Sequence, residues 1–203
     1  MTTEDAKPTV ILRGITLHRP WPWAMVFSEK RTENRPWCLR SVTDDDGVQQ
    51  WLLRKFADGY AEARQTVKLY LAIHAGRALD RDALGMLHEK HRARGGVLDL
   101  DNEAGCVVAI ARYAGVLDVW HTLPEDPARA AHDEWIYDPP RDSLPDGKRP
   151  FAWLLDDLVA FRQPVKIDRG AQGLWKLDDE QKGTVRMRYA EALLWERSQG
   201  EGA

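Results

Sequence analysis

The first patterned stretch is VILRGITL, residues 10–17. It is largely β-branched and apolar, so it predicts a buried strand behind a loose tail over 1–9. HRP breaks that run. Pro20 and Pro22 stand where the first turn of a helix tolerates proline, and WAMVFSEK predicts a helix of two turns. Pro36 biases Arg35 away from helical geometry, so TENRPW is expected to be extended. SVTDDDG reads as a polar turn with a helix N-cap among its acids. In QQWLLRKFADGYAEAR, Trp51, Leu52, Phe56 and Tyr60 recur every three to four residues, which predicts an amphipathic helix interrupted at Gly59.

VKLYLAIH (67–74) alternates and then turns wholly apolar, as a strand does. A helix is expected from near Asp80 to Gly95. GCVVAIARYAGVLDVW (105–120) carries the longest β signal, and Gly115 inside it suggests a bulge or bend. Residues 121–150 are the least regular. EDPARAAHDEW has room for a helical turn, and DPPRDSLPDGKRP is loop. FAWLLDDLVAFRQPV reads as one or two strands ending at Pro164, and RGAQGLWKL as a glycine turn into a short strand. A last helix is expected to turn Val185, Tyr189, Leu193 and Trp195 toward the core. The order does not alternate βαβ, which disfavours a doubly wound parallel sheet.

The chain has 203 residues, enough for one well-filled core. Apolar residues make up 43% and charged residues 30%, close to the globular average. Nine tryptophans exceed what a core of this size needs, which raises the question of stacking sites. A formal net charge of −3 argues against a protein that coats nucleic acid through phosphate contacts alone. It leaves room for a local basic cleft, because Arg13, Arg19, Lys30, Arg31, Arg35 and Arg40 all fall in the first 40 residues. Cys38 and Cys106 are expected as two thiols, with no ligand spacing for zinc. The polar, acid-bearing start is unlike a signal peptide, and no apolar run approaches the ~18 residues of a bilayer span. The expected location is the cytoplasm, with no membrane partner.

Four segments, in order, resemble one family. ITLHRPWPWAMVFSEKRTENRPW (15–37) is similar to the opening signature of ASCH domains: a strand, a PW turn, a short helix and Lys-x-x-Glu-x-Arg, here Lys30, Glu33 and Arg35. LAIHAGR (71–77), CVVAIARYAGVLDV (106–119) and FAWLLDDLVAFRQPVKIDRGAQGLWKL (151–177) resemble the family's later strands and its Gln-Gly-Leu-Trp closing turn. Two departures stand out. Ser28 occupies a place that is usually glycine, and residues 42–66 and 121–150 are longer than a minimal domain needs. The resemblance implies an α+β fold of PUA type, a small mixed or antiparallel β-barrel with flanking helices, related to YTH and EVE domains. The expected organisation is one domain over 10–203 with additions near 42–66 and 121–150. The resemblance also implies recognition of RNA or a nucleotide, and in some members hydrolysis.

The chemistry follows from residue types. Glu33 and Arg35, two apart on an extended segment, point to one face. Lys30 ends the preceding helix. A carboxylate between two cations stays ionised and suits a phosphate or a base edge, although an ordinary surface ion-pair network has the same composition. Trp21 and Trp23 flank Pro22, so either can stack a base or cap the core. Gln172 and Trp175, with glycines at 170 and 173, form a second candidate wall or a tight turn. His74 ends a buried strand and is either a hydrogen-bonded core residue or a base. In the acylcytidine amidohydrolase branch a threonine nucleophile follows the lysine by three residues. That place is Glu33 here, and Thr32 points to the other face.

The leading expectation is a module binding RNA or a single modified nucleotide, with single-stranded DNA as an alternative strand. Its expected contacts are Arg19, Trp21, Lys30, Glu33, Arg35, Gln172 and Trp175. The alternative is a hydrolase using Lys30, Glu33 or His74, a ribonuclease ahead of an amidohydrolase. The third reading is a protein-interaction adaptor. No cofactor and no metal are expected.

Overall fold

The computed structural model describes residues 9–52, 60–62, 67–92, 104–167 and 169–200. The fold is mixed α+β, as expected, with a seven-stranded sheet and a two-stranded one. In chain order the elements are β1 (Thr9–Arg19), α1 (Trp21–Phe27), β2 (Thr32–Arg35), β3 (Ser41–Thr43), β4 (Gln49–Trp51), β5 (Tyr60–Glu62), β6 (Val67–Leu79) and α2 (Arg81–Arg92). Then follow β7 (Cys106–Asp118), α3 (Pro127–Ala130), a 3-10 turn (Asp133–Trp135), β8 (Phe151–Lys166), β9 (Leu174–Trp175) and α4 (Asp179–Gly200). The sheet path is β2-β8-β7-β6-β1-β9, with β5 beside β7, and β3-β4 forms a separate hairpin. The β1–β9, β2–β8, β3–β4 and β5–β7 pairs are antiparallel. Among the described residues no helix is long and apolar enough to cross a membrane.

The chain forms two compact units. The first comprises Met1–Ile11, Arg31–Tyr70 and Arg112–Asp156; the second comprises Leu12–Lys30, Leu71–Ala111 and Asp157–Ala203. In the first, Trp153 is fully buried at the centre. Trp37 meets it edge to face at 4.6 Å and Tyr113 at 5.9 Å. Both polar tips are satisfied by backbone: the Trp153 ring N–H donates to the Trp37 carbonyl (3.2 Å) and the Tyr113 hydroxyl to that of Leu39 (3.1 Å). Such pairing is what lets large aromatic groups with a polar handle lie dry. A second cluster of Leu117, Val119, Ala152 and Leu154 packs against Ala114, Ala128 and Ile136.

In the second unit α1 starts on prolines, and the Ala24 N–H donates to the Pro20 carbonyl (3.0 Å). Asp80 caps α2 by accepting from the Ala83 N–H (3.0 Å). α4 begins with a reciprocal cap. The Gln181 N–H donates to the Asp178 carboxylate (2.8 Å), and the Asp178 N–H donates to the Gln181 side chain (3.2 Å). That satisfies two donors the first turn would otherwise leave open.

Several expectations are corrected. Gln49–Trp51 and Tyr60–Glu62 are strands, not parts of a helix; 53–59 and 63–64 of the expected helix lie outside the described residues, as does the tail over 1–8. The three-to-four spacing misled because turn chemistry dominates here. The Asp44 carboxylate accepts from the Val48 N–H (2.8 Å) and the Gln50 side chain (2.8 Å), Gly47 adopts φ 86°, and a hairpin closes. Trp51 is accordingly 52% exposed. Gly115 pairs in register with Glu62. β8 runs through Pro164 to Lys166; Pro164 is exposed, as an edge position of a strand allows. The expected end of α2 at Gly95 lies outside the described residues. Trp195 is 43% exposed rather than in the core: α4 buries Val185 and Ala192, and Trp195 instead takes the Arg162 guanidinium over its ring at 5.0 Å. Cys38 and Cys106 are free thiols.

Replacing Trp153 with alanine removes the centre of the first unit's aromatic cluster. The expected cost is about 3–5 kcal/mol, read as a lowered midpoint in urea unfolding.

Candidate functional site

The candidate residues fall into three local arrangements, two in the second unit and one in the first. The first is built where β1 runs into α1. Arg19, the last residue of β1, donates from its guanidinium to the Arg77 carbonyl (2.9 Å). Trp21 opens α1, and its ring N–H donates to Asp80 Oδ2 (3.2 Å). Asp80 therefore uses one oxygen to cap α2 and the other to orient an indole. Beyond α1 the chain turns back through Glu29 at φ 57°, and the Lys30 N–H donates to the Ala24 carbonyl (3.2 Å). This turn places the Lys30 ammonium 5.5 Å from the centre of the Trp21 ring. Lys30 is 2% exposed while Trp21 is half-buried. Lysine is almost never buried without partners, so a cation held against an indole is a built feature. Trp23, by contrast, is core: it is buried and tilts onto Phe27 at 5.2 Å.

The second arrangement joins Trp175 to His74 through Thr16. The Trp175 ring N–H donates to Thr16 Oγ1 (3.1 Å), and Thr16 Oγ1 lies 3.2 Å from His74 Nδ1. His74 Nε2 lies 2.8 Å from the Ile167 carbonyl. A carbonyl only accepts, so Nε2 carries the hydrogen. Nδ1 is then the acceptor, and the Thr16 hydroxyl donates to it while receiving from the indole. His74 is buried, and burial pushes its pKa below the ordinary 6.5, with Lys166 adding to the effect and the Ile167 bond opposing it. Both ring nitrogens are engaged, which fits a positioning role better than that of a base.

Two glycines make room for this chain. A Cβ on Gly14 would run into the Trp175 ring, and one on Gly170 would run into Thr16 Oγ1 and His74 Nδ1. Gly14 is also the ladder partner of Trp175 across β1–β9. Gln172 is exposed in the preceding turn, and Gly173 takes φ 72° beside it.

The third arrangement lies on β2, paired to β8 with Glu33 opposite Trp153 and Arg35 opposite Phe151. Glu33 Oε1 is 3.0 Å from Arg35 Nε, the same-face pair expected of positions two apart. Thr32 and Asn34 face the other way, and both donate to the Trp135 carbonyl (3.3 and 2.9 Å). Thr32 is thus tied into the packing of the 121–150 segment. The structure brings together Trp21 with Lys30, His74 with Trp175, and Glu33 with Arg35. Asp80, Thr16 and Gly14 were missed as site residues in the sequence. Asp80 had been read only as a helix start, and nothing local in the chain marks the other two.

No family model and no curated protein sequence matches the chain. Among solved structures it is similar to an ASCH protein from Zymomonas mobilis, at 15% identity and a TM-score of 0.46, over 87% of this chain and 94% of that one. A serine-to-alanine mutant of that protein gives 15% identity and a TM-score of 0.45, over 89% of this chain and 97% of that one.

The His74 pKa direction fixes a sign for pH dependence. The folded state resists protonation, so this histidine's contribution is complete above 6.5 and is lost as pH falls below that value. Urea midpoints at pH 7.5 and 5.5 should fall toward acid in the wild type, and less steeply in His74→Gln.

Proposed function

We propose that the chain binds RNA or a single modified nucleotide, with Trp21 as the platform for a base. The observation that carries this reading is the buried Lys30 ammonium set against a half-buried indole. The cation strengthens the ring's hold on one side, and Asp80 fixes its plane through the ring N–H. A base stacked on such a ring gains about 1–3 kcal/mol, whatever its identity. Arg19 lies two residues away and supplies a cation for a phosphate. Trp175 and Gln172 are proposed as further contacts in the second unit. Glu33 and Arg35 are proposed as a carboxylate–guanidinium pair suited to a base edge. The chain's net negative charge supports local recognition over a general attraction to phosphate backbones.

Under this reading Trp21→Ala and Lys30→Met each weaken binding of a short single-stranded RNA by about ten-fold, within the stacking range. Methionine keeps the bulk of the buried lysine, so melting temperature should change little. Fluorescence anisotropy measures the affinity; wild-type affinity in both variants would dispose of the proposal.

A further inference from the structure

The first unit carries a second constellation, unrelated to the residues above. Residues 119–141 fold around a cavity of about 500 Å³, which is within the range of small-molecule sites. Its frame is set by Arg129, which is 7% exposed and starts from a helical turn capped by Asp126. The Arg129 guanidinium donates to the carbonyls of Val119 (2.6 Å) and Thr122 (2.9 Å) and to Asp138 (2.6 Å). One buried cation thereby ties both ends of the loop, and the cavity is preformed.

Flat and apolar groups line part of it: Trp120, whose ring N–H is committed to the Pro139 carbonyl (3.0 Å), together with Leu123 and Pro139. The rest of the lining includes Arg129, Asp138, His121 and Arg141. His121 Nδ1 lies 2.9 Å from Asp118 Oδ1, and this carboxylate is itself buried and held on its other oxygen by Arg149 (3.2 Å). That Asp118 oxygen has no hydrogen-bond partner among the described residues, so the two groups are close without a hydrogen bond between them, and the imidazole side chain is 53% exposed. Arg141, also exposed, donates to the Trp120 carbonyl (3.2 Å), which is part of the peptide group that continues into His121. The imidazole and the guanidinium therefore flank one peptide unit at one cavity wall. Asp118 accepts from Arg149 and Asp138 from Arg129.

The geometry points to a site for a small organic anion, a carboxylate or phosphate ester on a flat apolar ring. The anionic oxygens meet the exposed Arg141 guanidinium and, where it is protonated, the His121 imidazole, and the ring lies against Trp120, Leu123 and Pro139.

The test is a titration of the whole protein with benzoate, phenyl phosphate, inorganic phosphate and benzyl alcohol, followed through the His121 ring signals by long-range nitrogen–proton NMR. The expected result is saturable shifts with phenyl phosphate or benzoate at a Kd on the order of 1 mM or tighter. Inorganic phosphate should bind more weakly and benzyl alcohol not at all. His121→Gln and Arg141→Met should each weaken binding about ten-fold or more, and Arg141→Lys should keep part of it. For the variants, intrinsic tryptophan fluorescence replaces the histidine signals. Both substituted side chains are exposed, so the fold should survive. Absence of saturation with both ring-bearing anions, equal binding of benzyl alcohol, or wild-type affinity in both charge-removing variants would overturn the assignment.

Discussion

The second unit is organised by a hydrogen-bond chain with one direction. It starts at the Trp175 ring N–H, passes through the Thr16 hydroxyl to His74 Nδ1, and ends with His74 Nε2 donating to the Ile167 carbonyl. The carbonyl at its end cannot donate, so every hydrogen upstream has one place to be. This chain ties the middle of β1, β6, the end of β8 and the two-residue β9 to one another. A strand as short as β9 has little pairing of its own, so the orientation of its tryptophan comes from Thr16 and from the flat face of Gly14. Protonating His74 would reverse the polarity at Nδ1, which is why burial and neutrality belong together here.

The same economy recurs at the start of α1. Asp80 caps α2 and orients Trp21, so one short side chain couples a helix end to an indole plane. Lys30 reaches that indole only because the chain reverses at Glu29 in a left-handed conformation. In both arrangements a tryptophan is held through its N–H, with Lys30 over the ring of Trp21 and Gly14 against the ring of Trp175. The polar edge thus fixes the direction of each ring, and the face supplies its contacts.

In the first unit, side-chain capping takes the place of regular pairing. Arg129 and Asp118 each serve two or three partners in a segment with only a turn of helix. Removing one partner from such a set is expensive, because it leaves a buried charge uncompensated. The loop therefore has a definite shape despite its proline-rich composition.

Most of the β signals were legible in the chain, because long β-branched runs such as 67–74 and 106–118 can be satisfied only by burial between other strands. The face shared by Glu33 and Arg35 was legible too, since strand alternation is a local property. The helix misread over 49–64 shows the limit. Spacing by three or four is compatible with hairpins whenever an aspartate and a glycine supply a turn, and only contact with β7 makes Tyr60–Glu62 a strand. Thr16, Gly14, Gly170 and Asp80 could not be found by pattern, for their roles depend on partners 58 to 161 positions away in sequence. The sequence by itself determined which segments must be buried and which chemistry is present. Tertiary structure alone decided which polar groups meet, because hydrogen-bond partnership is set by distance and direction in space and leaves no periodic trace along the chain.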